Sequence, residues 1–403
     1  MAKILILSTI YPALDIKVSN NTNVVHYFAR EWVKQGHEVI VVYNYPIYLK
    51  IFHWIASFAD KLIVSKFNTL VTSVYLNKDT EYELDGVKII RMPLFKPFPH
   101  YRVSQHNINK QVCKIVEVCK ENGFVPDAIT AHNFYPHIEM VNSLKENYFK
   151  TARTCMIVHK QNLKMLNYIY GDYKKQLRKI DVWGYRSLPI KESFEDCIGF
   201  KLNSFICYSG IPSLFVNNKE TCRITKPISQ IIYIGSLIKR KYPEKLLYAL
   251  KKSEINDFYL RYIGDGIGKS KIKRIIHNYN WDEKVRLYGF IPREEIALIL
   301  AKSQCFIMIS KEETFGLVYL EAMSMGCITV ASRSEGMEGI IIDGFNGFLC
   351  NAGDEIELSE ILNKIENLSL EDLNIISSNA RKTALQLTDS NVAMSYLENL
   401  LCK

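Results

Sequence analysis

Short apolar runs alternate with amphipathic stretches along most of this chain. Lys3 to Leu7 predicts a buried strand, Thr22 to Gln35 an amphipathic helix, and Glu38 to Tyr43 a second strand after the turn at Gly36. Further strands are predicted at Val87 to Arg91, Ala128 to Ala131, Cys155 to Val158, Phe205 to Tyr208, Ile231 to Ile234, Phe258 to Ile263, Val285 to Tyr288, Cys305 to Ile309 and Cys327 to Ala331. Strands that alternate with helices indicate an α/β protein with parallel, doubly wound sheets.

The strands fall into two series, and a polar segment, Asn217 to Pro227, separates them. A chain of 403 residues is long enough for two cores. We therefore predict a first domain over residues 1–216, a second over residues 228–385, and a closing segment over residues 386–403 that contains a helix around Asn391 to Leu401.

The stretch from Glu312 to Gly326, with the sequence EETFGLVYLEAMSMG, carries the strongest chemical signal. Glu313 is predicted to lie in a turn after the strand that begins at Cys305, Gly316 to open a helix, and Glu321 to lie inside that helix. A helix N-terminus favours an anion such as phosphate, and carboxylates accept hydrogen bonds from sugar hydroxyls. The combination fits a nucleotide-sugar.

This stretch, together with Asp343-Gly344-Phe345-Asn346-Gly347, resembles the donor-binding half of the retaining glycosyltransferases of family 4. The resemblance is dense in the second domain and thin in the first. It implies the GT-B fold, in which two Rossmann-like doubly wound domains face a cleft, and a C-terminal helix that returns to the first domain. The implied activity is transfer of a sugar, with retention, from a nucleotide-diphosphate donor.

The resemblance also assigns roles to individual residues. It implies that Glu313 bonds hydroxyls of the donor sugar and that Glu321 bonds the ribose. The backbone amides of Phe315, Gly316 and Leu317 are implied to bind phosphate. His159 matches a family histidine close to the transferred sugar, so the predicted catalytic residues are Glu313 and His159.

The loop after the strand Ile231 to Ile234 reads Gly235-Ser236-Leu237-Ile238, followed by the cations Lys239, Arg240 and Lys241. Three consecutive cations can neutralise a diphosphate. Lys241 matches the family's phosphate-binding lysine. Ser236 stands where the family has arginine, which leaves Arg240 or Lys239 to take that role. Gly235, Ser236, Arg240 and Lys241 are the predicted donor-binding residues of this loop.

Several other turns resemble parts of the family pattern. Gly264-Asp265-Gly266 resembles a Gly-x-Gly turn, and Tyr288 to Pro292 resembles the loop that lies along the nucleotide base. His132 ends a strand, as His159 does. The first predicted βα loop, Asp15 to Asn21, has Ser19-Asn20-Asn21 where the family usually has glycines.

The positive charge is concentrated in the first half. Residues 1–220 contain 28 Lys and Arg against 19 Asp and Glu, whereas the remainder contains 23 of each. Residues 50–67 predict a basic amphipathic helix with Trp54 and Phe58 on or beside its apolar face. Such a helix either packs on its own domain or lies in a membrane interface. A nucleic-acid partner is not expected, because no motif for one accompanies the charge.

Composition adds three expectations. The chain has no apolar run long enough to span a bilayer, and its first residues are too strand-like for a signal peptide. Ten scattered cysteines without a CxxC pair predict buried thiols in a reducing cytoplasm. No Asp-x-Asp occurs, so no metal and no cofactor are expected. We expect a cytoplasmic protein, peripheral on the inner face of the membrane if the basic half binds lipid.

The function predicted from these observations is a hexosyl- or N-acetylhexosaminyl-type glycosyltransferase of surface polysaccharide synthesis, acting on a glycan or lipid-linked acceptor. Three alternatives stay open. A glycoside hydrolase also uses paired carboxylates but needs no loop of three cations. A nucleotide-sugar epimerase of the same fold needs no acceptor, and a non-catalytic nucleotide-sugar-binding protein would bind without turnover.

Overall fold

The predicted alternation of strands and helices is confirmed over the part of the chain that the computed structural model describes, namely residues 1–13, 15, 23–57, 74–98, 101–159, 173–218 and 221–402. The chain divides into two units. The first comprises Met1–Arg186, Lys191–Cys207 and Val392–Lys403, and the second comprises Ser187–Ile190 and Tyr208–Asn391. The division falls at Cys207, ten residues before the polar segment that the sequence favoured as a linker.

The first unit is built on an eight-stranded sheet with the order β3-β4-β2-β1-β5-β6-β7-β8. All neighbouring strands are parallel except the edge pair β3–β4. The strands are β1 Lys3–Ser8, β2 Glu38–Ile47, β3 Thr80–Leu84, β4 Val87–Phe95, β5 Ala128–His132, β6 Arg153–Val158, β7 Val182–Tyr185 and β8 Ser204–Ile206. The central strands are almost wholly apolar because helices cover both faces of a parallel sheet.

The described helices of the first unit follow their strands, as expected of βα units. They are Val24–Lys34, residues 50–57, Gln105–Glu121, Phe134–Asn147, Tyr173–Leu177 and Leu188–Ile198, the last beginning within the second unit. Ser104 caps the longest of these, since its side chain accepts a hydrogen bond from the Asn107 amide. The predicted loop residues Ser19-Asn20-Asn21 and the second half of the predicted helix 50–67 lie outside the described residues.

The second unit has a six-stranded parallel sheet with the order β11-β10-β9-β12-β13-β14. Its strands are β9 Gln230–Ile234, β10 Tyr259–Ile263, β11 Val285–Gly289, β12 Cys305–Ile307, β13 Ile328–Ser332 and β14 Phe348–Cys350. Its helices are Ser213–Val216, Pro243–Lys252, Lys269–Asn278, Arg293–Leu300, Leu317–Ser324, Glu355–Asn367 and Leu370–Gln386, with a 3-10 turn at Lys239–Lys241. Their apolar faces pack on the sheet in one continuous core.

The last helix, Asp389–Leu401, begins in the second unit and continues in the first from Val392. The Trp32 indole donates a hydrogen bond to the Ala393 carbonyl over 2.8 Å. The Tyr396 ring contacts Trp32 and Phe28 edge-on, with ring centroids 4.9 and 5.1 Å apart. The C-terminal helix thus completes the core of the first unit.

No helix in the described part of the chain is both long and apolar enough to cross a bilayer. All ten cysteines are free thiols, and six of them are buried. These buried thiols act as small apolar side chains.

Candidate functional site

The carboxyl ends of β9 and β12 form the topological switch point of the second sheet. After β9 the chain continues to β10 on one side, whereas β12 lies on the other side of β9. In open parallel sheets, ligands bind outside the carboxyl ends of strands at such a point. The loop from Gly235 to Tyr242 leaves β9, and the loop from Met308 to Gly316 leaves β12. These two loops contain most of the predicted donor-binding residues.

Lys241 and Glu313 form an ion pair between the two loops. The Lys241 ammonium donates to Oε2 of Glu313, and the Ser310 hydroxyl donates to the same oxygen over 3.3 Å. Both charged side chains are largely shielded from solvent. Burial lowers the pKa of Lys241, because the cost of desolvation exceeds the attraction of Glu313. The structure therefore brings Lys241, which the resemblance assigns to the donor phosphates, together with Glu313, which it assigns to the sugar hydroxyls.

Glu335 fixes the turn that carries Glu313. Its two carboxylate oxygens accept hydrogen bonds from the amides of Glu312 and Glu313, over 2.8 and 2.7 Å. A side chain at Gly336 would place its Cβ only 2.5 Å from the backbone of Phe315, so glycine allows the two segments to touch. Glu335 lies 22 residues after Glu313, and no motif in the sequence pointed to it.

Backbone contacts join the loop from Gly235 to Tyr242, called the cationic loop because it contains Lys239, Arg240 and Lys241, to the turn that carries Glu313. The Lys311 amide donates to the Arg240 carbonyl over 2.7 Å, and the Arg240 guanidinium donates to the Glu312 carbonyl over 3.3 Å. Ser236, at the position of the family arginine, is exposed, and Arg240 is exposed as well. Arg240 is thus positioned beside the turn, where it can reach an anion bound between the loops.

The helix Leu317–Ser324 begins at Gly316, as predicted, and its N-terminus faces the end of β12. Gly316 has a φ of +87°, and a Cβ there would lie 2.5 Å from the Tyr319 ring. The Tyr319 hydroxyl donates to the Met308 carbonyl over 2.7 Å and thereby holds the ring beneath the turn. The first amides of a helix have no intrahelical partner, so those that follow Phe315 can bind phosphate oxygens.

Glu321 lies inside this helix, as predicted, and is buried. Its Oε1 accepts a hydrogen bond from the guanidinium of Arg293, at the start of the helix Arg293–Leu300. Burial raises the pKa of Glu321, and the attraction of Arg293 opposes part of that rise. Arg293, 28 residues before Glu321, is a second site residue that the sequence reasoning missed.

The turn Gly264-Asp265-Gly266 packs against the backbone of the cationic loop. The Leu237 amide donates to the Asp265 carbonyl over 3.0 Å. A Cβ on Gly264, whose φ is +126°, would lie 2.1 Å from the Gly235 carbonyl oxygen. The glycines of this turn thus permit direct contact between two backbones. Phe290, at the neighbouring strand end, is almost fully exposed, as a side chain available to a nucleotide base would be.

The Asp343-Gly344-Phe345-Asn346-Gly347 segment forms a tight turn before β14. The Gly344 amide donates to the Gly347 carbonyl over 2.8 Å, and Asp343 accepts from the Leu349 amide over 2.8 Å. Buried Asn346 bonds the Ile340 carbonyl and the Ile342 amide. The polar side chains of this motif therefore stabilise the turn itself.

His132 and His159 lie together at the carboxyl ends of β5 and β6 in the first unit. Their ring nitrogens Nδ1 and Nε2 are 3.1 Å apart. Burial, with nearby Arg186, lowers the pKa of His159 to about 3, and burial lowers that of His132 well below its usual value. Both imidazoles are therefore neutral at physiological pH, and one ring donates a hydrogen bond to the other.

The structure thus brings Gly235, Ser236, Arg240, Lys241 and Glu313 together with the helix N-terminus at Phe315 to Leu317, while Glu321 lies deeper in that helix beside Arg293. His159 lies in the first unit. Among the residues that the structure describes, no cluster of His, Cys, Asp and Glu is arranged to hold a metal ion.

Comparison with known proteins agrees with this geometry. Residues 218–383 match the profile of the family described as glycosyl transferases group 1. An uncharacterized glycosyltransferase of Methanocaldococcus jannaschii is 26% identical over 72% of this chain and 78% of its own length. The N-acetyl-alpha-D-glucosaminyl L-malate synthase of Bacillus anthracis is 28% identical, over 45% of this chain and 47% of the synthase. The amylovoran biosynthesis glycosyltransferase AmsK of Erwinia amylovora is 23% identical over 68% of this chain and 70% of AmsK.

Similarity to solved structures extends over the whole chain. The Anabaena protein HepE, solved in complex with UDP and glucose, superposes with a TM-score of 0.65 and 16% identity, covering 99% of both chains. The fold is GT-B, as the sequence predicted. The matched donor-side segment, residues 218–383, is thus similar to the glycosyl transferases group 1 family, and the relatives named above that span two thirds or more of this chain are glycosyltransferases.

Proposed function

We propose that this protein transfers a hexosyl or N-acetylhexosaminyl group from a nucleoside-diphosphate donor to a glycan or lipid-linked acceptor in polysaccharide assembly, with retention of anomeric configuration. The name of AmsK supports the polysaccharide setting, that of the Bacillus synthase an N-acetylhexosaminyl donor, and the ligands of HepE a UDP-linked sugar. Retention follows from the resemblance to family 4.

The observation that carries the proposal is the Lys241–Glu313 pair at the switch point, beside the N-terminus of Leu317–Ser324. A diphosphate bound there would meet Lys241, Arg240 and the helix amides. The Lys241 ammonium would then leave the Glu313 carboxylate oxygen and donate to a phosphate oxygen instead. The Glu313 carboxylate would be released to accept hydrogen bonds from hydroxyls of the sugar.

Catalysis is then mainly electrostatic. As the bond between the anomeric carbon and the phosphate oxygen breaks, negative charge grows on the departing nucleoside diphosphate and positive charge on the sugar. Lys241, Arg240 and the helix N-terminus stabilise the first charge. The acceptor oxygen attacks the same face of the sugar, and its proton passes to the departing phosphate oxygen.

Two further residues complete the proposed roles. Glu321, oriented by Arg293, would accept hydrogen bonds from the ribose hydroxyls. The resemblance to family 4 gives His159 a role close to the transferred sugar, and its low pKa means that it would act there as an uncharged donor or acceptor and not as an acid.

The proposal is tested by first screening nucleotide-sugars for thermal stabilisation and then measuring acceptor-dependent release of the nucleoside diphosphate. A hydrogen bond to a charged group is worth about 1.5–3 kcal/mol, so Glu313→Gln should lower transfer by about 10- to 100-fold or more. Glu312→Gln is the matched control, because its side chain is exposed on the same turn, and it should retain activity. Equal activities of a folded Glu313→Gln variant and the wild type would exclude Glu313 from the site.

The same assay distinguishes the alternatives. Sugar release to water without an acceptor would indicate a hydrolase. Conversion of the donor to its epimer would indicate an epimerase, and stabilisation without turnover on any acceptor would indicate a binding protein.

A further inference from the structure

Residues 50–57, the helical segment after β2, have an inward and an outward face. His53 and Ala56 are buried, and the Tyr48 amide donates to Nε2 of His53 over 3.1 Å. Ile51 and Trp54 point outward, with 57% and 63% of their surface exposed, and Ile55 lies on the same face. Positions i, i+3 and i+4 form one side of a helix. This helix is therefore attached to its unit by one face and presents an apolar second face to solvent.

The exposed apolar area continues onto the segment after β4. The Phe98 ring contacts the Phe52 ring edge-on at 5.9 Å and the Tyr101 ring at 6.0 Å. Phe98 and Tyr101 are each 49% exposed. Aromatic side chains of this kind, half on the protein and half in solvent, are typical of surfaces that insert into a lipid interface. We call Ile51, Trp54, Ile55, Phe98 and Tyr101 the apolar surface.

The charged side chains of the two segments that carry the apolar surface are all cationic, and Glu139 is an acid that contacts one of them. Residues 44–57 and 86–102, which carry the surface, contain no Asp or Glu, and their cations are Lys50, Lys88, Arg91, Lys96 and Arg102. Arg102 contacts Glu139 at 3.5 Å, and Lys50 lies 5.7 Å from the Tyr75 ring centroid. The half of the chain that carries the surface holds the whole positive excess. An apolar face with cations beside it complements a bilayer that has anionic headgroups.

We propose that the apolar surface binds the interface of an anionic membrane, with Ile51, Trp54 and Ile55 inserted among the headgroups and Lys50 against the phosphates. The proposal does not depend on the glycosyltransferase reaction. It names a lipid surface as a partner of the first unit, where the sequence left membrane binding and packing as alternatives.

Trp54 provides a direct readout, because the other three tryptophans, Trp32, Trp183 and Trp281, are buried. The full chain is mixed with vesicles of phosphatidylcholine alone or with 30% phosphatidylglycerol, at low salt and in 1 M salt. We expect a blue shift of tryptophan emission and sedimentation with the anionic vesicles. Both should weaken in 1 M salt, since the Debye length falls from about 10 Å at 0.1 M to about 3 Å.

The variant Ile51→Ser/Trp54→Ser removes two outward side chains and should lower vesicle partitioning by about tenfold or more, as expected for lost apolar burial. Lys50→Glu should lower partitioning to anionic vesicles. Val125→Ser is the matched control, since Val125 is 64% exposed in the same unit but lies outside the apolar surface. It should bind as the wild type does, and circular dichroism checks the fold of each variant.

Absence of binding to anionic vesicles at low salt would overturn the proposal. So would equal partitioning of the Ile51→Ser/Trp54→Ser variant and the wild type. If the protein instead sediments as a dimer that this variant dissociates, the apolar surface is a contact between two copies of the chain and the membrane assignment is wrong.

Discussion

Arg293 lies 28 residues before Glu321 in the sequence, yet it affects the protonation of the Glu321 carboxyl group. Burial raises the pKa of Glu321, and Arg293 opposes the rise. An ionised carboxylate accepts hydrogen bonds from ribose hydroxyls more strongly than a protonated carboxyl group does. We therefore expect Arg293 to act as a positioning residue that orients Glu321 and favours its ionised form.

Arg293→Met should raise the pKa of Glu321 further, because only desolvation remains. The protonated fraction of Glu321 at a given pH then increases. The affinity for the nucleoside diphosphate, which falls as Glu321 becomes protonated, should therefore begin to fall at a higher pH than in the wild type. Titration calorimetry across pH measures this shift. Arg293→Lys should restore most of the wild-type profile, and the corresponding 2′-deoxy nucleotide should show a smaller dependence. Unchanged pH profiles in Arg293→Met would contradict the role.

The same substitution has a consequence for stability with a definite sign. A carboxyl group whose pKa is higher in the folded than in the unfolded protein binds its proton more tightly when folded. Its contribution is present below the unfolded pKa and is lost as pH rises through the folded pKa. Relative to the wild type, Arg293→Met should lose stability as pH rises.

At this scale the sequence predicted only part of the site. The positions of Glu313 in a turn and Glu321 in a helix follow from local pattern and are confirmed. Glu335 accepts a hydrogen bond from the Glu313 amide, 22 residues away, and Arg293 donates to the Glu321 carboxylate, 28 residues away. Only the packing of separate loops brings these residues together. The catalytic and binding roles themselves stay predictions.

At the scale of elements, buried parallel strands were the easiest to predict, because their apolar runs are continuous. Three strands were missed. The sequence of β3, Thr-Glu-Tyr-Glu-Leu, alternates on a half-exposed antiparallel edge. β7 is a buried run of only four residues that contains Gly184, and β14 directly follows the turn that ends at Gly347. The strand predicted to reach Tyr208 ends at Ile206. Helix 50–57 shows a different limit: its periodicity indicated an apolar face but not that this face points outward.

The contact between the Gly264 turn and the loop of Gly235 is tested by Gly264→Ala. The added Cβ would overlap the Gly235 carbonyl and also force a strained φ, so we expect a loss of about 2 kcal/mol or more and weaker donor binding. Thermal unfolding and donor titration measure both effects.

Gly344→Ala is the control, because Gly344 also has a positive φ but has no atom within 4 Å of the added Cβ. It should cost only about 1 kcal/mol of backbone strain and leave donor affinity unchanged. Equal losses in the two variants would show that close contact between the turns is unimportant.

At the scale of the whole molecule, the proposed neutralisation of the diphosphate by Lys241, Arg240 and a helix N-terminus predicts metal-independent transfer. EDTA should leave donor binding and acceptor-dependent release unchanged. Both are measured before and after dialysis against the chelator. A large loss that magnesium or manganese restores would mean that a cation, and not these side chains alone, holds the phosphates.

The return of the last helix to the first unit affects the order in which the protein can fold during synthesis. Trp32 and Phe28 are made more than 360 residues before their partners Ala393 and Tyr396. At about 5–20 residues per second, the ribosome needs roughly 10–40 s to extend the chain from Cys207 to Val392. Throughout that interval the rings of Trp32 and Phe28 lack their contacts with the last helix. The second unit begins later in the chain, but the ribosome completes its strands and helices before it completes those of the first unit.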